Sequence, residues 1–428
     1  MIGLVERAAD VRARVRGWAS EPWIPLVSGS IAVTVLSGQA SIERFLPFLP
    51  PGWGEIRVWG TTFLVLLTIY AWPRQRPRLD DAGWTVVPLI ALAAFMGARS
   101  LPQLPSGAAR TYVVNAGLLA AQGVTIWVLA RDERTVKAIL WWFVLVTLVL
   151  FIAGAWGVGQ HEFVRRGWAP FGTSTSLYRL MGLGLAAVLA ISLSSRSSPG
   201  IPGWVAWAMA TCAFAYAALA TLGRVVPLAL LGLLVWVSLG LAARSRYRVS
   251  VALIALVGIT AAIAWVTMSG DFKMRYSRIN LEFATGGQVA NAPSHTPEFT
   301  GRLRLFSEAL RIFKEHPVIG AGPEGYLVPD PRPTANQGHA PYRYPHNVVL
   351  EFLALGGAWG GGLVVLAILA PLVPALRAAA RSDAAVALGG YLPFALVASM
   401  VSGDVYDFRL YWVVALLIPL VRRQPVDR

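Results

Sequence analysis

The sequence predicts an all-α, polytopic membrane protein of about twelve transmembrane helices. Three observations carry this. The chain of 428 residues is 56% hydrophobic and only 14% charged, unlike a soluble domain of that length. Apolar runs of roughly 20 residues, the length a helix needs to cross a bilayer, recur from end to end. The basic residues collect in short segments at alternate ends of those runs. A membrane β-barrel would instead show alternating stretches of about ten residues.

The apolar runs place spans at 23–40, 55–72, 84–98, 111–130, 138–156, 177–194, 203–221, 224–243, 249–268, 347–375, 385–402 and 408–422. The weakest are the first, interrupted by Ser28-Gly29-Ser30, and the third, which is short. An even number of spans leaves both chain ends on one side. That side receives Arg74, Arg76 and Arg78, then Arg131, Arg134 and Lys137, then Arg196, Arg244, Arg246 and Arg248, and finally Arg377, Arg381, Arg422 and Arg423. Short loops rich in Arg and Lys stay in the cytoplasm, so this is the cytoplasmic side. The net charge of +15 is therefore read first as topology, not as nucleic-acid binding. Residues 1–22 are charged and roughly amphipathic and read as a cytoplasmic interfacial segment, with no cleavable signal peptide expected. The single cysteine, Cys212, lies in an apolar run and excludes a disulfide framework.

The chain thus divides into the N-terminal segment 1–22, spans one to nine over 23–268, an external segment 269–346, and spans ten to twelve with a cytoplasmic tail over 347–428. The external segment sits before the third-last span. A pore or a scaffold needs no such insertion, whereas an enzyme acting at the membrane surface does. Within it, Leu303, Phe306, Leu310 and Phe313 recur at three- and four-residue steps. They predict an amphipathic helix from Thr300 to His316, stopped by Pro317. Residues 317–345, rich in Pro, Gly and Tyr, read as an ordered loop over the membrane surface.

Several polar residues fall on the external side. Arg224 follows Thr221-Leu222-Gly223 where span eight begins, Arg302 opens the loop helix, and His346 immediately precedes span ten. All three lie near helix N-termini, which favour anions through free N–H groups and the helix dipole. A guanidinium adds a forked, permanent donor suited to phosphate oxygens, and pyrophosphate is the guest this set fits. An imidazole beside a helix N-terminus is favoured in its neutral, proton-accepting form, which makes His346 the candidate base. Arg166, in the external segment between spans five and six, and Arg179, in span six, join the candidate phosphate-binding set. An arginine inside a span is costly and marks function by default. His339 is a further polar group near the acceptor side. Asp404, with Asp407 and Arg409 between the last two spans, reads either as part of an ion pair or as a site residue. Gly356, Gly357, Gly360, Gly361 and Gly362 in span ten predict close helix contact or a break. No metal-binding signature is visible, and neither metal nor cofactor is expected.

Gly301-Arg302-Leu303 with Ala309-Leu310-Arg311-Ile312-Phe313, then His316-Pro317-Val318-Ile319-Gly320-Ala321-Gly322, then His346-Asn347-Val348-Val349-Leu350-Glu351 with Gly356-Gly357, resembles the O-antigen ligase/O-antigen polymerase superfamily. The resemblance is strongest from about 200 to 375. It implies a GT-C-like glycosyltransferase of the bacterial inner membrane with its active site facing the periplasm, where the 269–346 loop would lie. The implied donor is a glycan on undecaprenyl pyrophosphate. For a ligase the acceptor is lipid A-core; for a polymerase it is another lipid-linked repeat, and related members glycosylate protein. No nucleic acid and no metal take part. The family's essential histidine falls on His346 and its basic residues on Arg224 and Arg302, with Arg166 and Phe171-Gly172 matching a further segment. Where the family often carries a second histidine before the His-Asn pair, this chain has Tyr344-Pro345. A lipid-linked glycan transporter is the alternative of another class; it expects broken helices at mid-membrane and related halves.

Overall fold

The structure, a computed structural model, describes residues 23–37, 55–75, 79–105, 107–131, 133–158, 174–194, 226–242, 298–325, 328–329, 342–343, 345, 347–401 and 408–421. In chain order its helices are α1 (Trp23–Leu36), α2 (Ile56–Gln75), α3 (Asp81–Ser100), α4 (Gly107–Leu129), α5 (Glu133–Val158), α6 (Ser174–Ser194), α7 (Val226–Ala242), α8 (Glu298–Glu315), α9 (Gly322–Gly325), α10 (Val348–Leu369), α11 (Leu372–Ala379), α12 (Asp383–Gly389), α13 (Tyr391–Val401) and α14 (Arg409–Leu417). The rest of the described regular structure is 3-10 turns and a two-residue antiparallel ladder, β1 (Val328–Pro329) with β2 (Tyr342–Arg343). Every expected span outside 203–221 and 249–268 has a helix. Those two, with the segment 1–22, lie outside the described residues. Among the described residues five helical stretches are long and apolar enough to cross a membrane, Val348–Ala379 being the longest, and this is a membrane protein.

The two weak spans are both helical. Ser28 does not interrupt α1, because its hydroxyl donates to the Ile24 carbonyl one turn back at 2.6 Å. Gly29 admits the Trp142 ring of α5, which a Cβ there would approach to 3.2 Å. The third span is longer than its apolar run. Asp80 caps it, accepting from the Gly83 amide at 3.0 Å, so the polar residues before Trp84 belong to the helix.

The helices pack as a bundle in which α3 and α4, α5 and α6, α6 and α12, α7 and α13, and α2 and α4 are neighbours. Residues 178–188 of α6 and all of α14 are buried, so these two lie inside. Leu66, Ile69 and Tyr70 on α2, Leu239 on α7 and Leu366 on α10 face outward, as an apolar surface does against lipid.

The two ends of the bundle differ in chemistry. At one end Asp80 meets Arg131 at 3.4 Å and Asp81 meets Arg377 at 3.3 Å, joining the start of α3 to the end of α4 and to α11. These arginines belong to the set that the charge pattern of the sequence groups on one side. Along α3, Asp81 and Arg99 are about 27 Å apart at 1.5 Å per residue, close to the hydrocarbon thickness. Arg99 therefore lies at the opposite end, and there α3 meets the segment that follows α8.

That segment docks into a break in α10. Gly357 has φ 61° and ψ −153°, a region open essentially to glycine alone. In an unbroken helix the Ala358 and Trp359 amides would donate to Ala354 and Leu355. Here they donate to Pro317 O at 2.8 Å and Val318 O at 3.3 Å. The freed Ala354 carbonyl accepts from the Ala321 amide at 2.9 Å. Gly320 sits against the Leu355–Gly356 backbone, where a Cβ finds no room. The glycines of span ten thus make both the break and the close contact. An unsatisfied backbone group at this depth costs about 1–3 kcal/mol, so the turn removes several kcal/mol of penalty from α10.

Gly357→Ala combines a disallowed φ with a Cβ driven into the Val318 backbone. It should destabilise the purified protein by about 2–4 kcal/mol, from overpacking and backbone strain together. Thermal unfolding in detergent checks this against Gly362→Ala, where a Cβ meets nothing within 4 Å. Gly362→Ala should leave the midpoint within a degree or two or raise it, because alanine is the better helix former.

Candidate functional site

The external helix of the sequence reading is α8, which starts at Glu298, two residues before the expected Thr300. Its apolar stripe explains where it lies. Leu305, Ala309 and Ile312 are buried, and Ala309 and Ile312 pack with Ala354 and Leu355 of α10, with Tyr112, Leu350 and Ala321 around them. Its opposite face carries Arg311 between Glu308 and Glu315, at 2.6 Å from the first. Hydrogen bonds donated by the guanidinium to both carboxylates, to Glu308 foremost, push its pKa further up, so Arg311 is a charge held on its own helix. Arg302 precedes Leu305 by three residues and Ala309 by seven, the spacing of one helix face. The docked turn is at residues 354–359, so α8 runs back along α10 from there and carries residue 302 toward the first turn of α10.

His316 falls in the turn, as the sequence indicates; its carbonyl accepts from the Gly320 amide at 3.1 Å and its side chain is exposed. Gly320, at φ 66°, and Gly322, at φ 77°, reverse the chain. The turn is also held from the end of α3 and from the 3-10 turn that follows it. Arg99 Nη2 donates to Gly320 O at 2.9 Å, and Gln103 Oε1 accepts from the Glu324 amide at 3.2 Å.

The first turn of α10 is anchored on three sides. Asn347 is its N-cap, accepting from the Val349 and Leu350 amides at 3.1 and 3.0 Å. The same side chain donates through Nδ2 to the Met400 carbonyl at 3.0 Å, in the last turn of α13. One turn into α10, the Glu351 carboxylate accepts a hydrogen bond from the Tyr112 hydroxyl of α4. Glu351 is 1% exposed. Nearby on α4, Asn115 accepts from Arg57 of α2 at 3.1 Å, and Arg57 also pairs with Glu55 at 2.6 Å.

Of the candidate residues, Arg179 is described in full. It is buried in α6, its Nη2 donates to the Ala398 carbonyl at 3.4 Å, and its guanidinium lies over the Tyr178 ring at 5.8 Å. Ala398 and Met400 belong to the same turn of α13. Arg179 and the N-cap of α10 are therefore brought to one helix end, although they are far apart in sequence. Arg302 is described as a position on α8. His346, Arg224, Arg166, His339 and Asp404 lie outside the described residues. Arg409, which the sequence sets beside Asp404 and Asp407, is buried and donates through Nε to the Val35 carbonyl of α1 at 2.9 Å. Among the described residues no cluster of three or more His, Cys, Asp and Glu could hold a metal ion.

Tyr112, Arg99 and Gln103 carry no signal in the sequence. Each sits at the end of an apolar span, and its partner is more than two hundred residues away. Glu351 stands in the quoted motif but is not singled out there; an acid inside a span is the signal that could have found it.

Asn347→Asp keeps the cap but loses the donor to Met400, whereas Asn347→Ala loses both. The alanine variant should be less stable than the aspartate variant by about 1 kcal/mol, the usual worth of an N-cap. Unfolding of the two proteins side by side in detergent measures the difference.

None of the curated proteins matches this chain. One family model does. The matched stretch contains α7, α8, the docked turn and α10 through its break at Gly357. Residues 207–365 of this chain match the family described as O-antigen ligase, so over that stretch the chain is similar to the O-antigen ligase superfamily.

Proposed function

We propose that this protein is an O-antigen ligase that moves a glycan from undecaprenyl pyrophosphate to lipid A-core on the periplasmic face of a bacterial inner membrane. The observation that carries the reading is the docking of α8 and its turn into broken α10, inside the stretch that matches the O-antigen ligase family. This arrangement directs the helix bearing Arg302 toward the start of α10, which follows His346 in the chain. The periplasmic assignment rests on the arginine-rich pairs at the other end of the bundle.

In this mechanism Arg224 and Arg302 hold the donor pyrophosphate, with Arg166 and Arg179 adding positive charge. Stabilising the leaving phosphate is the largest contribution such a site can make. His346 takes the proton of the acceptor hydroxyl. The hydroxyl oxygen bonds to the anomeric carbon, the bond from that carbon to the phosphate oxygen breaks, and undecaprenyl pyrophosphate departs. Attack opposite the leaving group inverts the anomeric centre. His339 and Asp404 are assigned to the acceptor side. No metal or cofactor enters the scheme.

A broken helix by itself would fit a transporter. The break at Gly357, however, is level with Arg99 at the end of the bundle, and its freed groups are taken by the turn. A transporter needs such groups open to substrate near mid-membrane.

The test is transfer by purified, reconstituted protein given undecaprenyl-pyrophosphate glycan and lipid A-core, with and without chelator. Wild type should join the two in either condition. His346→Ala should lose about 100-fold or more in rate, the usual worth of a general base. Arg224→Lys should be impaired, since an ammonium cannot form the forked contact. Longer glycans on the lipid donor would make the protein an O-antigen or exopolysaccharide polymerase, and transfer to protein an O-oligosaccharyltransferase. Glycan movement across the membrane without transfer would sink the enzyme reading.

A further inference from the structure

Glu351 has no part in the mechanism above, yet it is the buried acid closest in the chain to His346. It lies on α10, is 1% exposed and accepts from Tyr112 of α4. Its own amide donates to the Asn347 carbonyl at 2.9 Å. His346 immediately precedes Asn347 in the chain. Side chains on a helix lean toward its N-terminus, so the carboxylate lies over the turn that begins at Asn347.

A buried acid at the edge of a bilayer is an expensive way to join two helices. Apolar contacts already join these: Leu350, Tyr112 and Ala354 pack in one cluster with α8. Asn347 and the docked turn anchor α10 as well. An additional polar link one turn from His346 adds little to holding the helices together. What it adds is direction. Apolar packing lets a helix rotate or slide by fractions of a turn, whereas a directional hydrogen bond to a phenol sets both rotation and height. A base must reach its proton within a few tenths of an ångström to be effective.

We propose that Glu351 and Tyr112 are positioning residues, a tether from α4 that sets the first turn of α10 so that His346 meets the acceptor hydroxyl. The inference rests on the transferase reading and on the role given there to His346. It assigns neither residue a contact with substrate.

The test is a double-mutant cycle on the reconstituted protein, reading single-turnover transfer per donor-loaded molecule alongside the donor KM and thermal midpoint. Tyr112→Phe removes the donor and Glu351→Leu the acceptor. Each should lower the turnover rate about tenfold while the donor KM stays within about twofold. The double variant should be no slower than the slower single variant, because both remove one contact. Glu351→Gln keeps an acceptor oxygen and should restore the rate to within about threefold of wild type. Multiplying losses, a loss confined to donor KM, or full rates in Tyr112→Phe would each overturn the tether. Should Glu351→Leu fail to fold, Tyr112→Phe and Glu351→Gln still decide it, since both nearly preserve shape. An active His346→Ala would show that the transferase role of His346 is wrong. An inactive His346→Ala beside a fully active Tyr112→Phe would defeat the tether alone.

Discussion

A helix broken inside a membrane protein has to find hydrogen-bond partners for the backbone groups it frees, because lipid supplies none. At Gly357 those partners are the carbonyls of Pro317 and Val318 and the amide of Ala321. Much of the architecture at this end of the bundle follows from this one constraint. The turn must lie where the break lies, so α8 must end there and pack back along α10. Residue 302, in the second turn of α8, is carried toward the start of α10 by the same geometry. Glycine is required on both sides, at Gly320 for the approach and at Gly357 for the dihedral angles.

Polar groups concentrate where the helices end. At one end, paired acids and arginines join α3, α4 and α11. At the other, Arg99, Gln103, Tyr112, Asn347 and Glu351 link α3, α4, α10 and α13 to the docked segment. Between the two ends α6 and α14 are buried in an apolar interior, and the outer helices turn leucine, isoleucine and aromatic residues toward lipid. The hydrophobic effect does not hold apolar helices together in a bilayer, so close packing and interhelical hydrogen bonds have that task. Gly123 against Leu89 and Tyr411 bonded to the Ile368 carbonyl are examples of each. The end bearing the docked segment is thus the one with more side-chain links among the described residues, and Arg179 reaches the neighbouring end of α13.

Arg179 illustrates how a costly residue becomes tolerable. Its guanidinium sits on the ring of Tyr178 and donates to a carbonyl near the end of α13, the negative end of that helix. Asn347 uses the same helix end through Met400. One helix terminus therefore serves as common ground for a cation from α6 and for the cap of the helix that follows His346.

The amino-acid sequence by itself determined where helices form among the described residues, because apolar length and the 3.6-residue period are local properties of the chain. It also determined that α8 is amphipathic, that His316-Pro317 ends it, and that the glycines after Leu355 mark a break or a contact. The charge pattern sorted the two ends of the bundle. Only the tertiary structure decided what those glycines accept, since the groups that fill the break come from residues about forty positions away. It alone paired Tyr112 with Glu351, Arg99 with Gly320 and Arg179 with Ala398, across 239, 221 and 219 residues. Hydrogen bonds of that kind leave no periodicity to read. A tyrosine or arginine at the edge of a span looks the same whether it meets head groups or a partner helix, and the folded chain alone distinguishes them.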